Sequence, residues 1–547
     1  MIVLGVTHPI SHNNAACLLV DGRLVAFAEE ERFTRLKHAP RVYPQRAIDF
    51  CLRYAGIEPQ DVDATAVGFE RPKLGELKSE KIAAYIAGTL PASEHLDLHV
   101  HAAHFSTEMD VRAYGALRHY DHHLAHAASA FAPSGFGEAN VITLDGWGGR
   151  LSGLFGFQRR GQALEVMGEV SPDFSWGALY SLVTQQLGFR SHSGEGKTMG
   201  LAPYGVADER LLPDYCDETF GLPDLARYNP YIAKSIPQRA PNEPLTAYHK
   251  NLAATLQHYY ERSLLKIARH LAERTSCRRF VLAGGVALNC TGNGRLAAED
   301  FVDEIFIQPA SHDAGTALGA AILAHEELTG RACELGFDHA YWGPDYSDDD
   351  VRATLRFAQV RYREVDPVEV AASAVLDNKV VGWFQGRAEV GPRALGARSI
   401  LANPADPGNL DRVNLRVKRR EPWRPLAPSV TEERFFDVFA MRVLSPYMLM
   451  AGGVKQEWRA ALPAVVHVDG SARPQAVNRR TNPLYHRLLE ALDARGGIPA
   501  VLNTSFNLDD EPLVNSPEHA LASFFRSGLD ALVIGNFMVE KAPATRE

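Results

Sequence analysis

Short apolar runs separated by tight turns dominate the start of the chain: Ile2 to Val6, Ala15 to Val20 and Leu24 to Ala28, the last two joined by Asp21-Gly22. Runs of that length bounded by turn residues predict strands, and Asp-Gly between two of them predicts a hairpin, so the opening reads as a three-stranded meander. The pattern restarts at Val141. A strand to Leu144, a glycine-rich turn, Ser152 to Gln158, a turn at Arg160-Gly161 and Ala163 to Val170 make a second meander. Each is followed by helical stretches and a further strand, Ala64 to Phe69 in the first copy and Phe280 to Ala283 in the second. The repetition predicts a duplicated α/β fold.

Two facing halves of this kind describe the actin-like ATPase fold, in which a nucleotide sits in the cleft between them. From about Gly336 to Pro367 the chain turns loop-like and acidic, and Ser347-Asp348-Asp349-Asp350 predicts the start of a helix. A domain boundary is expected there, giving domains 1–340 and 341–547. The second domain opens with a predicted helix from Val368 to Asp377 and a strand from Val380 to Phe384.

A length of 547 residues exceeds what one hydrophobic core normally supports. Hydrophobic content of 46% and charged content of 22% are ordinary globular values, so substantial cores are expected. The formal net charge of −9 argues against a general nucleic-acid binder, although a local basic pocket can still hold small anions. Six scattered cysteines without a CxxC pair fit a reducing cytoplasm. The first residues read as a strand rather than a signal peptide, and no apolar run approaches membrane-spanning length.

Candidate chemistry starts at Asp121-His122-His123-Leu124-Ala125-His126. His122 and His126 are four apart, so on a helix both rings leave one face and can share an ion, while His123 points elsewhere. Asp145 ends the apolar run Val141 to Leu144, where a carboxylate can meet ligands from a neighbouring helix; Asp313, far downstream, is a fourth candidate. Such a set with an open position suits iron(II), zinc or manganese.

Glycines follow closely. Gly146 and Gly148 beside Asp145, and Gly284-Gly285 after the strand Phe280 to Ala283, let backbone approach a phosphate, with Asn289 adding a directional donor and acceptor. The run Gly194 to Gly205 contains Lys197 but lacks the phosphate-loop frame GxxxxGK[ST], and reads as an ordered ligand-lining loop. In the second domain Arg387, Arg393, Arg398, Lys418, Arg419, Arg420 and Arg424 crowd together, with Arg393 inside the rigid loop Gly391-Pro392-Arg393-Ala394-Leu395-Gly396. Two phosphate-bearing substrates would repel by about 4 kcal/mol per charge pair at about 4 Å and an effective dielectric of about 20, so several fixed cations are needed.

Across essentially its whole length the chain resembles the ATP-dependent O-carbamoyltransferases of antibiotic and nodulation-factor biosynthesis. The motifs that carry the resemblance are Ser11-His12-Asn13, Glu29 to Arg35, the HHxxHA run from His122, GKTMGLAPYG from Gly196, AGGVALN from Ala283, GPRALGARSI from Gly391, VKRREPWRPLAP from Val417 and VLNTSFN from Val501. The resemblance implies an actin-like N-terminal domain joined to a YrdC-like C-terminal domain, and two half-reactions. In the second domain carbamoyl phosphate and ATP, with Mg, would give carbamoyl adenylate. In the first, a small-molecule hydroxyl acceptor such as a sugar or macrolide would take the carbamoyl group and release AMP.

Carried over by motif, His122, His126, Asp145 and Asp313 would hold iron(II) against the adenylate phosphate. Arg393, Lys418, Arg424 and Arg473, with Asn503 and Ser505, would hold carbamoyl phosphate and ATP. His12 would be the general base, a role suited to an imidazole's ordinary pKa of about 6.5. Asn13 stands where the family commonly has Asp, and an amide takes no proton, so position 13 has no base role. A mixed anhydride hydrolyses in bulk water, so passage of the intermediate through an enclosed route is expected. A small-molecule kinase and a tRNA threonylcarbamoyl-type enzyme are the alternative readings. The segments Glu70 to Asp110 and Pro203 to Pro241 match no shared motif and are expected to shape acceptor choice.

Overall fold

The computed structural model describes residues 1–8, 11–40, 42–70, 114–241, 243–333 and 335–541. The expected acceptor-shaping segment 71–110 therefore lies outside the described residues. The chain forms two compact units: Met1–Thr34, His38–Gly292 and Glu299–Phe337 in the first; Arg35–Lys37, Asn293–Ala298 and Asp338 onward in the second.

The first unit holds two five-stranded sheets. One contains β1 (Ile2–Val6), β2 (Ala15–Val20), β3 (Arg23–Glu29), β4 (Ala64–Val67) and β5 (Ala116–His119), in the order β3-β2-β1-β4-β5. The other contains β6 (Glu138–Gly148), β7 (Leu151–Arg159), β8 (Glu165–Val170), β9 (Arg279–Ala283) and β10 (Glu304–Ile307), in the order β8-β7-β6-β9-β10. In both, the first three strands pair antiparallel as the predicted meander, the fourth joins the leading strand in parallel, and the fifth joins the fourth in parallel. The expected duplication is thus present strand for strand, in an α/β fold.

The apolar runs form strands because both faces are covered. Leu4, Leu18 and Ala26 pack with Ile48 and Cys51 of the helix α1 (Gln45–Ala55), and Val141 and Val281 pack with Ala130 and Phe131 of α2 (His122–Ser134). Each such Leu, Ile or Phe contributes about 1.5–3 kcal/mol on full burial. A helix follows the fifth strand of each half: α2 after β5, and α4 (Ala314–Thr329) after β10, while α3 (Ala247–Thr275) is a long helix between β8 and β9. The two equivalent helices cross closely at Gly319, where a Cβ would lie 1.7 Å from the Ala125 carbonyl oxygen.

One expectation changes. Glu195–Leu201, predicted as part of a loop, is helical. Its Thr198 hydroxyl meets that of Thr184 at 2.8 Å in a buried contact, and Thr198, Met199 and Leu201 are buried, so tertiary packing overrides the weak helix propensity of Gly196 and Gly200.

The second unit is an α/β domain in its own right. Its eight-stranded mixed sheet is built from β11 (Tyr362–Glu364), β12 (Val381–Phe384), β13 (Arg398–Ala402), β14 (Ala427–Thr431), β18 (Gln475–Val477), β19 (Ala500–Ser505), β20 (Ala531–Ile534) and β21 (Phe537–Glu540), with β15 (Phe439–Ala440), β16 (Gly452–Val454) and β17 (Ser471–Ala472) in a small separate sheet. Alternate residues feed two cores: Phe384, Ile400, Leu502 and Ile534 on one face, Trp383, Leu401, Val501 and Val533 on the other, the latter set against Tyr485, Leu488 and Leu492 of the helix Pro483–Gly496. Ser347 and Asp350 form the expected capping box at the start of the helix Asp348–Phe357.

Candidate functional site

Asp121 caps α2 by accepting from the Leu124 amide at 2.8 Å, which fixes the first turn and aims His122 and His126 together, ring centroids 4.6 Å apart. His122 Nδ1 faces the Gly68 carbonyl at 3.2 Å. The Gly68 carbonyl can only accept, so Nδ1 donates there and Nε2 turns toward the carboxylates. Nε2 is buried without a hydrogen-bond partner, 3.7 Å from Asp145 Oδ2 and 3.9 Å from Asp313 Oδ1. His126 Nε2 lies 3.1 Å from Asp145 Oδ2. His123 turns away to the Leu151 carbonyl and the Thr143 hydroxyl.

Asp145 projects where β6 loses register with β7, and Asp313 stands at the entrance to α4. One ligand atom from each of His122, His126, Asp145 and Asp313 falls within 4.8 Å of all the others. The electrostatics show what the cluster lacks. Burial disfavours the His122 imidazolium, but the two carboxylates outweigh it and hold His122 above its ordinary value. Burial pushes His126 down to about 4. Burial also opposes the Asp145 anion, yet its interactions with the His122 and His126 imidazoles keep it well below the carboxylate range, while burial and the Asp145 charge push Asp313 up to about 7. Two half-buried acids facing a buried imidazole nitrogen form a donor set that a divalent cation fits.

Nearby glycines are sterically required. A Cβ on Gly148 would lie 1.9 Å from His122 Cδ2, and one on Gly284, at φ +86°, would lie 2.1 Å from the Leu144 carbonyl oxygen. Gly148→Ala is expected to displace the His122 ring and cost about 1–3 kcal/mol, read as a lowered melting temperature together with reduced metal retention. Gly285 abuts Asp145, with a Cβ there 3.0 Å from Oδ1, whereas Gly146 has open space around it.

Other expected residues divide. His12 is exposed, and its backbone amide donates to Asp313 Oδ2 at 3.2 Å, which ties its loop to the ligand set. Its ring stacks on His192 at 5.1 Å, a partner that sequence spacing did not signal. Asn13 contacts His38 Nδ1 at 2.8 Å. Lys197 places its ammonium over the Phe189 ring at 5.6 Å. Asn289 pairs amide to amide with Gln257 and accepts from the Gly292 amide, so Oδ1 and one Nδ2 hydrogen are engaged within the protein.

In the second unit Lys418 follows a π-helical turn, Arg412–Val417. It is buried, donating to the Ser505 carbonyl at 2.6 Å, to Ser505 Oγ at 3.0 Å and to Asn507 Oδ1. Burial, then Arg420 and Arg424, hold the ammonium well below its ordinary value. Burial and the charges of Arg424 and Arg473 likewise depress Arg420, and burial depresses Arg424. Arg473 Nε is buried without a hydrogen-bond partner. These four cations stand near one another, with Glu421, Asp509 and Asp510 as the acids acting on them.

Two other members of the basic run, Arg387 and Arg398, bind carbonyls within the unit. Arg398 is fully buried, donating to the carbonyls of Gln385, Gly386, Ala397 and Pro344 and stacking over Phe384 at 3.6 Å. Arg387 binds the carbonyls of Trp342 and Gly343. Asn503 lies beneath the Arg393 loop, its Nδ2 donating to the Ala394 carbonyl, Ser429 Oγ and Gln475 Oε1.

Residues 2–322 match the family model for the carbamoyltransferase N-terminus, and residues 372–541 match that for the carbamoyltransferase C-terminus. The whole chain aligns at 38% identity with 81% of the nodulation protein NolNO of Sinorhizobium fredii, and 78% of it aligns at 39% identity with 79% of the nodulation protein NolO of Bradyrhizobium diazoefficiens. It is 28% identical to the 3'-hydroxymethylcephem-O-carbamoyltransferase of Amycolatopsis lactamdurans, over 97% of this chain and 98% of that one.

Proposed function

Because this chain belongs to the carbamoyltransferase family, we propose that it uses ATP to move the carbamoyl group of carbamoyl phosphate onto a hydroxyl of a small-molecule natural product. Water takes the phosphoryl group of carbamoyl phosphate, releasing phosphate and carbamate, and a carbamate oxygen attacks the α-phosphorus of ATP, expelling pyrophosphate and giving carbamoyl adenylate. The acceptor oxygen then attacks the carbonyl carbon, the bond to the AMP oxygen breaks, and the hydroxyl proton passes to a base. The carbamoyltransferase named for a hydroxymethyl cephem supports a hydroxyl acceptor.

The crowding of Lys418, Arg420, Arg424 and Arg473 is the observation that carries this reading. Burial and neighbouring positive charge disfavour the Lys418 and Arg420 cations, and a polyanion entering relieves both; two phosphate-bearing substrates supply that charge. In the first unit His122, His126, Asp145 and Asp313 would hold the metal, which when bound supplies Lewis-acid stabilisation of the departing phosphate. His12, anchored through its amide to Asp313, accepts the hydroxyl proton.

Incubation with labelled ATP tests the reading. AMP and pyrophosphate whose formation requires carbamoyl phosphate are expected, whereas ADP would replace the proposal with a kinase. His12→Asn should lower acceptor carbamoylation by roughly 10²–10⁴-fold while pyrophosphate release in the first half-reaction stays normal. Unchanged transfer would remove His12 from the proton path.

A further inference from the structure

Glu389 is a buried carboxylate that the two half-reactions do not use. Its Oε1 accepts three backbone amides of the following loop, from Leu395 at 2.7 Å, Ala397 at 3.3 Å and Arg398 at 3.2 Å, while Oε2 is buried without a hydrogen-bond partner. Three amides converging on one carboxylate oxygen make an anion-binding nest filled by the protein's own side chain. Such charge-assisted bonds are roughly twice as strong as neutral ones.

The loop that Glu389 closes is the one that carries Arg393. Its carbonyls are held from the other side: Leu395 O by the Tyr341 hydroxyl and Gln475, Ala394 O by Asn503, Gly396 O by the Trp383 indole. Gly391 and Gly396, at φ +89° and +100°, turn the chain at both ends of the segment. Arg393 is therefore mounted on a backbone in which donors and acceptors on both sides are fixed, and the carboxylate is the component that gathers the amides.

We propose that Glu389 is a positioning residue for donor binding: by gathering the amides of Leu395, Ala397 and Arg398 it holds the loop in the conformation that aims Arg393 at the anionic donor. This rests on the reading above that Arg393 binds carbamoyl phosphate or ATP. The role requires an acceptor oxygen at Oε1 and no proton transfer, so an amide should serve and a methyl should not.

A double-mutant cycle on the full-length enzyme tests it, read by carbamoyl-phosphate-dependent pyrophosphate release. Arg393→Ala should raise the KM for carbamoyl phosphate at least tenfold; if it leaves both substrates' KM unchanged, the donor-binding reading of Arg393 fails first. Given that effect, Glu389→Ala should raise the same KM comparably, Glu389→Gln should stay within about threefold of the parent, and Glu389→Ala added to Arg393→Ala should change KM less than twofold further. Effects of the two changes that multiply independently, or a Gln variant as impaired as the Ala variant, would overturn the positioning role. If Glu389→Ala does not fold, Glu389→Gln alone decides, since a general acid or base would lose kcat there and a positioning acceptor would not.

Discussion

Asp145→Asn is expected to strip the first unit of bound divalent metal and to lower acceptor carbamoylation by on the order of 10³-fold, since several kcal/mol of transition-state stabilisation depend on the ion. The carboxylate lies near both imidazoles, 3.1 Å from His126 and 3.7 Å from His122, and their proximity keeps it ionised. An amide of the same shape keeps the packing and removes the charge, so Asp313 and two neutral rings remain as a weaker set. Metal analysis of the purified protein checks the first half of the prediction. Mass gain of the acceptor checks the second, while carbamoyl-phosphate-dependent pyrophosphate release, proposed for the other unit, should persist. A variant that retains stoichiometric metal and normal transfer would show that Asp145 is not a ligand.

Lys418→Ala should have the opposite pattern, a loss of donor activation on the order of 10²–10³-fold with metal content intact, the scale of removing one preorganised donor from a developing anion. Lys418 is held by the Ser505 carbonyl and hydroxyl and by Asn507, so its head group is fixed before substrate arrives. Lys418→Arg should not restore activity, because a planar fork cannot occupy the compact site of an ammonium. Pyrophosphate release with saturating ATP and varied carbamoyl phosphate reads the loss. Full activity in either variant would move the donor site elsewhere.

The duplicated fold was legible because it is written in short-range signals: apolar runs, Asp21-Gly22 and a repeat of the same meander. The pair His122 and His126 was legible for the same reason, since four-residue spacing on a helix is local geometry. Contacts that depend on tertiary placement were not. Arg387 and Arg398 look like their basic neighbours in sequence, yet they bind carbonyls inside the second unit while Lys418 and Arg420 crowd one another. Asn289 offered a free amide in sequence, but Gln257, more than thirty residues earlier, takes both of its functional groups. His192 against His12, and Glu389 beneath the Arg393 loop, bring together chain segments or backbone amides whose meeting no periodicity announces. The helix Glu195–Leu201 is glycine-interrupted and is stabilised by what it packs on rather than by its own composition.

The pseudo-symmetry of the first unit assigns each reactive group to a matched address. His12 follows the leading strand in one copy, and Asp145 lies near the end of the leading strand in the other; the helix after the last strand begins with His122 in one copy, and Asp313 immediately precedes it in the other. Neither copy is complete by itself: a chain made of the first half repeated would keep its sheets but possess imidazoles without acids, and the second half repeated would possess acids without imidazoles. Two copies of one fold with different residues at matched positions thus supply the imidazoles and the carboxylates of one cluster.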